Sequence, residues 1–237
     1  MKILIIGRGN VGTNLENAFR QKGVDVAIVS SREGLADLPK TADVYVYAVR
    51  DNALREVVSQ VSVQPRALHL HTSGTMPIDV FGADKPHAGI FYPFQTLSKD
   101  RLVDFSEVPV FIEARGIDDI SAVYTLALTI TNRVYEATQQ DREKLHLAGV
   151  LVNNFPNHLY RMAYDLLKGT HIPFKSLFPL MEETLRKLHA MSPEEAQTGP
   201  ARRHDSNVIE HHLSLLADDE ERQIYRLLSV AIEEKYQ

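Results

Sequence analysis

The chain contains no cysteine. That excludes disulfides, cysteine-ligated zinc, iron–sulfur clusters and thiol catalysis, and it fits a reducing cytoplasm. It also lacks an excess of positive charge: 26 Lys and Arg against 31 Asp and Glu leave a formal net charge of −5. No basic surface is on offer to nucleic acid or to an anionic membrane, and neither is expected as a partner. Long apolar runs are missing too. Met1–Ile6 is largely apolar but stops at Gly7, too short for a signal-peptide core, and no later run approaches the ~20 residues of a membrane span. There is no internal repeat and no low-complexity segment. A soluble, cytoplasmic protein is expected. The 237 residues, 44% hydrophobic and 24% charged, are ordinary globular composition and suffice for two domains.

The first half alternates β-branched runs with helical patterns. Strands are predicted at 2–6, 24–29, 42–49 and 66–71, with further strands at 87–92, 108–113 and 132–137. Helices are predicted at 10–22, 51–61 and 118–130. Strands alternating with helices imply an α/β fold with a parallel, doubly wound Rossmann sheet. After Thr138 the strand signals vanish. Helices are predicted at 140–167, 174–191, 206–216 and 219–236, punctuated by Gly169, Pro173, Pro193 and Gly199-Pro200. The boundary is placed near 138: residues 1–138 as a nucleotide-binding Rossmann domain, 139–237 as an all-α domain.

Gly7-Arg8-Gly9-Asn10-Val11-Gly12 is a G-x-G-x-x-G that follows a strand, opens a helix and sits in one βαβ unit. Gly7 permits the turn, Gly9 lets the backbone approach a pyrophosphate, and Gly12 lets helix and strand pack closely. The helix N-terminus then attracts the phosphates. NAD sites usually carry an acid at the end of the second strand, to bind the ribose 2′-hydroxyl. Here the residues are Ser30, Ser31 and Arg32. Hydroxyls and a guanidinium suit a 2′-phosphate, so NADP(H) is the expected cofactor; the alternative is that Glu33 takes the acidic role. Val49 and Arg50, after the third strand, and Ser73, after the fourth, leave the carboxyl edge of the sheet, where ligands bind in such folds. They are expected to contact the cofactor. A methyltransferase is disfavoured by the full glycine fingerprint and by Ser30-Ser31-Arg32.

His211 and His212 are adjacent and point apart on a helix. His69 and His71 share a strand face but lack a third ligand. No metal site is expected. Asp218-Asp219-Glu220-Glu221 reads as a solvated helix start.

With these residues the chain resembles the NADP-binding proteins of the 6-phosphogluconate dehydrogenase-like superfamily. That group includes deazaflavin-dependent NADP reductases, pyrroline-5-carboxylate reductase and ketopantoate reductase. It is most similar to a Rossmann-like group with a helical C-terminal domain of unknown function. Three segments carry the match: His71-Thr72-Ser73-Gly74 with Phe91–Leu97, Leu145–Ala148 through Val152-Asn153-Asn154, and Thr198-Gly199-Pro200 with Arg203 and Asp205. Tyr92 departs from the family pattern, which has His before the proline, and Arg202 and His204 replace small residues.

The resemblance implies an oxidoreductase transferring hydride to a small, anionic carbonyl or imine substrate in an interdomain cleft, with homodimerisation through the helical domain. A non-catalytic NADP-binding sensor is the alternative. It implies His146 as proton donor, with Lys144 as a rival acid, and Asn154 as the amide that polarises the substrate bond. Gln95, Asn153, Arg203 and Asp205 are implied as substrate ligands, Asp205 alternatively as a helix cap. Helical spacing makes Leu145, Ala148, Val152, Phe155 and Leu159 a core stripe. His146, Asn153 and Asn157 share nearly one face, with Asn154 about 80° away at ~100° per residue. Pro156 is expected to kink this helix, which could turn Asn154 inward, so both asparagines stay open.

Overall fold

The structure is a computed structural model; it describes residues 1–32, 35, 38, 41–62 and 66–236. The alternative acid Glu33 lies outside the described residues. The chain divides into two compact units, Met1–Asn153 and Asn154–Gln237.

The first unit is built on seven strands: β1 (Lys2–Ile6), β2 (Asp25–Val29), β3 (Val44–Tyr47), β4 (Leu68–His71), β5 (Ala88–Pro93), β6 (Val110–Ala114) and β7 (Val134–Glu136). They form one sheet in the order β2-β1-β3-β4-β5-β6-β7. Helix α1 (Asn10–Gln21) joins β1 to β2, α2 (Asp51–Gln60) joins β3 to β4, and α3 (Ile117–Leu128) joins β6 to β7. The expected Rossmann arrangement is present, with one reversal: β6 runs antiparallel to β5. No α-helix lies between them, only a 3₁₀ turn at Phe105–Glu107. Without a crossover to carry the chain back, the next strand enters the sheet from the opposite end.

Strands β3 and β4 are buried at every position, as a sheet covered on both faces requires. Alternate residues feed two cores. Ile3, Ile5, Val46 and Leu70 pack with Leu15 and Phe19 of α1 and Val123 of α3. Leu4, Ile6, Tyr45 and Tyr47 pack on the other face with Leu54 and Val58 of α2. Each such side chain contributes roughly 1.5–3 kcal/mol by leaving water, so this unit carries a substantial core.

Helix α4 (Gln139–Gly149) starts where the strand pattern ends, with a capping box between Thr138 and Asp141. It nevertheless clusters with the first compact unit, which runs to Asn153. The reason is Arg142, fully buried. Its guanidinium forms an ion pair with Glu113 of β6 and donates to the carbonyls of Ala137 at 3.2 Å and Met76 at 3.1 Å.

The second unit contains α5 (Phe155–Leu166), α6 (Phe178–Leu188), α7 (Pro193–Ala196), α8 (Ser206–Leu215) and α9 (Asp219–Lys235). No residue of α5, α6 or α8 is buried. Leu180 is 68% exposed and Leu227 70%. The expected core stripe is corrected by the same measure: Val152 is 73% exposed and Phe155 54%. Leu145 and Leu159, at its two ends, are half-buried, and Ala148, Val152 and Phe155 between them are exposed.

Candidate nucleotide and proton-transfer site

The strand register sets one row of residues level across the carboxyl edge of the sheet: Val29, Ile6, Tyr47, His71 and Ile90. Every loop named from the sequence in the first unit leaves just beyond this row. Gly7 has φ +119, a conformation that favours glycine, and its amide donates to the Val29 carbonyl at 2.8 Å. A Cβ there would collide with the Ala48 carbonyl, and a Cβ on Gly12 would collide with the Gly7 carbonyl. These two glycines are therefore fixed by protein packing. Gly9 is different. Its backbone is extended, a Cβ would meet no atom of the described residues within 4 Å, and it is the N-cap of α1 with no side chain capping the helix and no acid in the first turn. Nothing inside the protein calls for a glycine there; a bound phosphate close to the backbone does.

Around this loop, Arg8 is exposed and donates to the Ile28 carbonyl at 3.2 Å. Asn10 accepts from the Lys99 amide at 3.2 Å, and Val11 packs against the core. Ser30 accepts from the Arg32 amide at 3.2 Å; Ser31 is half-buried and the Arg32 side chain is exposed. Asn14, not singled out from the sequence, is buried. It donates to the carbonyls of Asn10 and Ser98 and accepts from the Val103 amide, so residues 98–103 are pinned beside the helix N-terminus.

On the next loops, Val49 is half-buried and Arg50 is the exposed N-cap residue of α2. The Ser73 hydroxyl accepts from the amides of Thr75 and Met76, so it shapes its own turn. The same turn is tied to α2 by the Thr75 hydroxyl, which donates to Asp51 at 2.6 Å. His71 lies beneath it. Its Nδ1 is 3.2 Å from the Ser73 amide, which donates to it, leaving Nε2 to donate to the Pro77 carbonyl at 3.3 Å. Burial, the largest cause, pushes the His71 pKa down to about 4.

That shift has a consequence for stability. The unfolded chain takes up a proton near pH 6.5, whereas folded His71 resists until about 4. Proton uptake therefore favours unfolding as pH falls below 6.5, and the loss is complete below the folded pKa. Roughly 2 kcal/mol should be lost between pH 7 and pH 5. Urea midpoints at the two pH values check this; His71→Gln should be less stable at pH 7 but show a flatter dependence. An equal slope in the variant would reject His71 as the source.

Three further residues complete the picture of the first unit. Gln95 accepts from its neighbour's amide, Thr96, at 2.8 Å and is exposed. His146, on α4, is exposed, and its Nδ1 is 3.1 Å from the hydroxyl of Tyr92. Lys144 is exposed. The sequence flagged Tyr92 only as a departure; its contact with His146 spans two elements and has no local signature.

Between α4 and α5 the chain forms a π-helical turn, Val150–Asn154, followed by Pro156 near the start of α5. The wider turn leaves Pro156 in the first turn of α5, where a missing N–H is tolerated. It also breaks the ~100° per residue on which the facing of Asn153 and Asn154 was reckoned; both are exposed. π-Helical turns within α-helices are frequent at functional sites. In the second unit, Arg203 ends a 3₁₀ turn and is exposed. Asp205 caps α8, accepting from the Val208 amide at 3.3 Å. His212 is 2.7 Å from the Tyr225 hydroxyl.

The model of a domain of unknown function, DUF2520, matches residues 108–232. The structure is similar to BF3122 of Bacteroides fragilis, described as a candidate NADP oxidoreductase, at 39% identity, with 98% of each chain covered and a TM-score of 0.89. It is also similar to protein TM1727 of Thermotoga maritima, at 18% identity, 96% and 99% coverage and a TM-score of 0.72. The fold recurs in an imine reductase from Myxococcus stipitatus in complex with NADP+, at 14% identity, 99% and 92% coverage and a TM-score of 0.65. No curated protein sequence matches the chain.

Proposed function

The chain belongs to the DUF2520 family, and on that premise we propose that it is an NADP(H)-dependent oxidoreductase that reduces a small carbonyl or imine substrate. The observation that carries this reading is Gly9, a glycine with an ordinary backbone and nothing among the described residues against it, at the uncapped N-terminus of α1. BF3122, similar over nearly the whole chain, is described as a candidate NADP oxidoreductase, and similar folds are recorded with NADP+ and NADPH. Both support the choice of nucleotide.

Bound NADPH would supply hydride. The protein's part is to hold it and to deliver a proton. Gly7, Gly9, Val11 and Gly12 shape the amide cradle for the pyrophosphate, with Arg8 and Asn10 at its rim. Ser30, Ser31 and Arg32 receive the 2′-phosphate, and Val49, Arg50 and Ser73 flank the ribose and nicotinamide. His146 serves the proton side. In the helical part, residues 139–237, Asn153, Asn154 and Arg203 are the candidates for holding the substrate, Arg203 suiting an anionic group. Asp205 acts as a cap.

We assign homodimerisation to the helical part as well. The support is the number of large apolar side chains its helices leave exposed, including Leu180, Leu185 and Leu227. Sedimentation should give twice the chain mass, and Leu180→Glu with Leu185→Glu should give monomers; a monomeric wild type rejects the assignment.

The cofactor assignment is tested at Arg32. NADPH should bind more tightly than NADH, and Arg32→Ala should narrow the ratio about tenfold or more, since a charge-assisted contact to a phosphate contributes ~1.5–3 kcal/mol. An unchanged ratio defeats the assignment of Arg32 to the 2′-phosphate.

A further inference from the structure

Resting on the reading of this chain as an NADPH-dependent reductase, we propose that Tyr92 is its catalytic proton donor and that His146 is the residue that positions Tyr92 and returns its proton. Tyr92 lies near the end of β5. His71 of β4 pairs with Ile90, so Tyr92 stands two residues further on, level with Ser73 at the carboxyl edge. Its ring lies against Gly74: a Cβ on that glycine would be 2.7 Å from Cζ and 2.9 Å from the hydroxyl oxygen. Any side chain at 74 would displace the phenol, which gives the glycine a reason. The hydroxyl is 3.1 Å from His146 Nδ1, and the ring is held edge-on by Phe94 at 6.0 Å between centroids. Tyr92 is half-buried while His146 is exposed, so the pair runs from the edge of the nucleotide site to bulk water.

The chemistry balances. The substrate carbon takes hydride from NADPH, which is thereby oxidised to NADP+, and the C=N or C=O π pair moves onto nitrogen or oxygen. The Tyr92 O–H bond breaks and a new N–H or O–H bond forms on the substrate. The phenolate then takes the Nδ1 proton of His146, Nε2 takes one from water, leaving hydroxide, and the exposed imidazole returns to its Nδ1–H tautomer by proton exchange with solvent. In the resting state His146, with its hydrogen on Nδ1, donates to the phenol oxygen, which leaves the phenol hydrogen free for the substrate. Burial, with a smaller contribution from Asp51 and against an opposing one from Arg142, pushes the Tyr92 hydroxyl pKa up, so the phenol enters each cycle protonated. The departure from histidine at this position then changes the kind of acid without removing it.

The test is NMR on protein labelled with ζ-¹³C tyrosine at pH 8, the Tyr92 signal being assigned by its loss in Tyr92→Phe. Saturating NADPH should move this signal, and NADP+ should move it to a different position, because the nicotinamide ring beside it becomes positively charged. A phenol remote from the nicotinamide would not distinguish the two. If calorimetry shows both nucleotides bound and the Tyr92 signal is the same with each, the proton-donor assignment is overturned and the cofactor reading stands. If neither binds, both fall. As a second readout, NADPH oxidation with cyclohexanone plus allylamine or with ethyl levulinate as probes should lose about 100-fold or more in kcat in Tyr92→Phe, with KM for NADPH unchanged; a change under threefold in a variant that turns over also overturns it. The NMR result decides whether or not these probes react.

Discussion

Gly9→Asp is expected to leave the free protein at least as stable as the wild type while lowering its affinity for NADPH at least about 100-fold, or ~2.7 kcal/mol. The two effects have opposite signs for one reason. Gly9 is the N-cap of α1, with φ −86 and ψ −170, and the helix end has no side-chain cap. Aspartate is among the best N-cap residues and adopts this backbone without strain. Its Cβ meets nothing within 4 Å. The new carboxylate would bond the amides at the start of the helix, and those are the amides a pyrophosphate must use. It would also repel the phosphates. Melting temperature and calorimetric affinity, measured on the same preparation, check the pair of outcomes. Gly12→Ala makes the contrast, because its methyl group runs into the Gly7 carbonyl and should destabilise the fold itself. If Gly9→Asp binds NADPH like the wild type, the phosphates do not sit on this helix.

Arg142→Ala should have the largest effect on stability, about 3 kcal/mol or more. Arg142 is fully buried, and its ion-pair partner Glu113 is 29% exposed. Removing the guanidinium leaves the carboxylate without its cation and deprives the carbonyls of Met76 and Ala137 of a donor. Leaving buried polar groups unpaired costs more than the net gain from pairing them. Because Glu113 can turn partly to water, the loss should fall toward the lower end of the ~3–5 kcal/mol range for broken buried pairs. Arg142→Met keeps most of the stem volume, so the difference between the two variants in urea denaturation separates packing from charge. A loss under about 1 kcal/mol in Arg142→Ala would show that α4 is held by something else.

The glycine loop was legible in the sequence because its work is local: Gly7, Gly9 and Gly12 act within one strand–turn–helix, and each leaves its mark within a few residues. Strands were legible for the same reason: β3, buried on both faces, reads as a continuous apolar run, Val44–Tyr47. The reversal of β6 was not, because nothing in Val110–Ala114 itself records the direction of pairing. Nor were the long-range contacts of the proposed proton donor and of α4. Tyr92 and His146 are 54 positions apart, Arg142 and Met76 are 66 apart, and pairs at such distances have no periodicity to read. The apolar spacing from Leu145 to Leu159 predicts a core face, yet Val152 and Phe155 are exposed. Periodicity reports that a face is apolar; it does not report which surface covers it. Pro156 marks a disturbed helix, and the structure places a π-helical turn, Val150–Asn154, just before it.

The central claim is that the start of α1 is a phosphate-binding cradle, and titration of the purified wild-type protein with NADPH in a calorimeter tests it most directly. The account predicts saturable binding near one nucleotide per chain, with NADH weaker. No heat of binding with either nucleotide, confirmed by equilibrium dialysis, would contradict it.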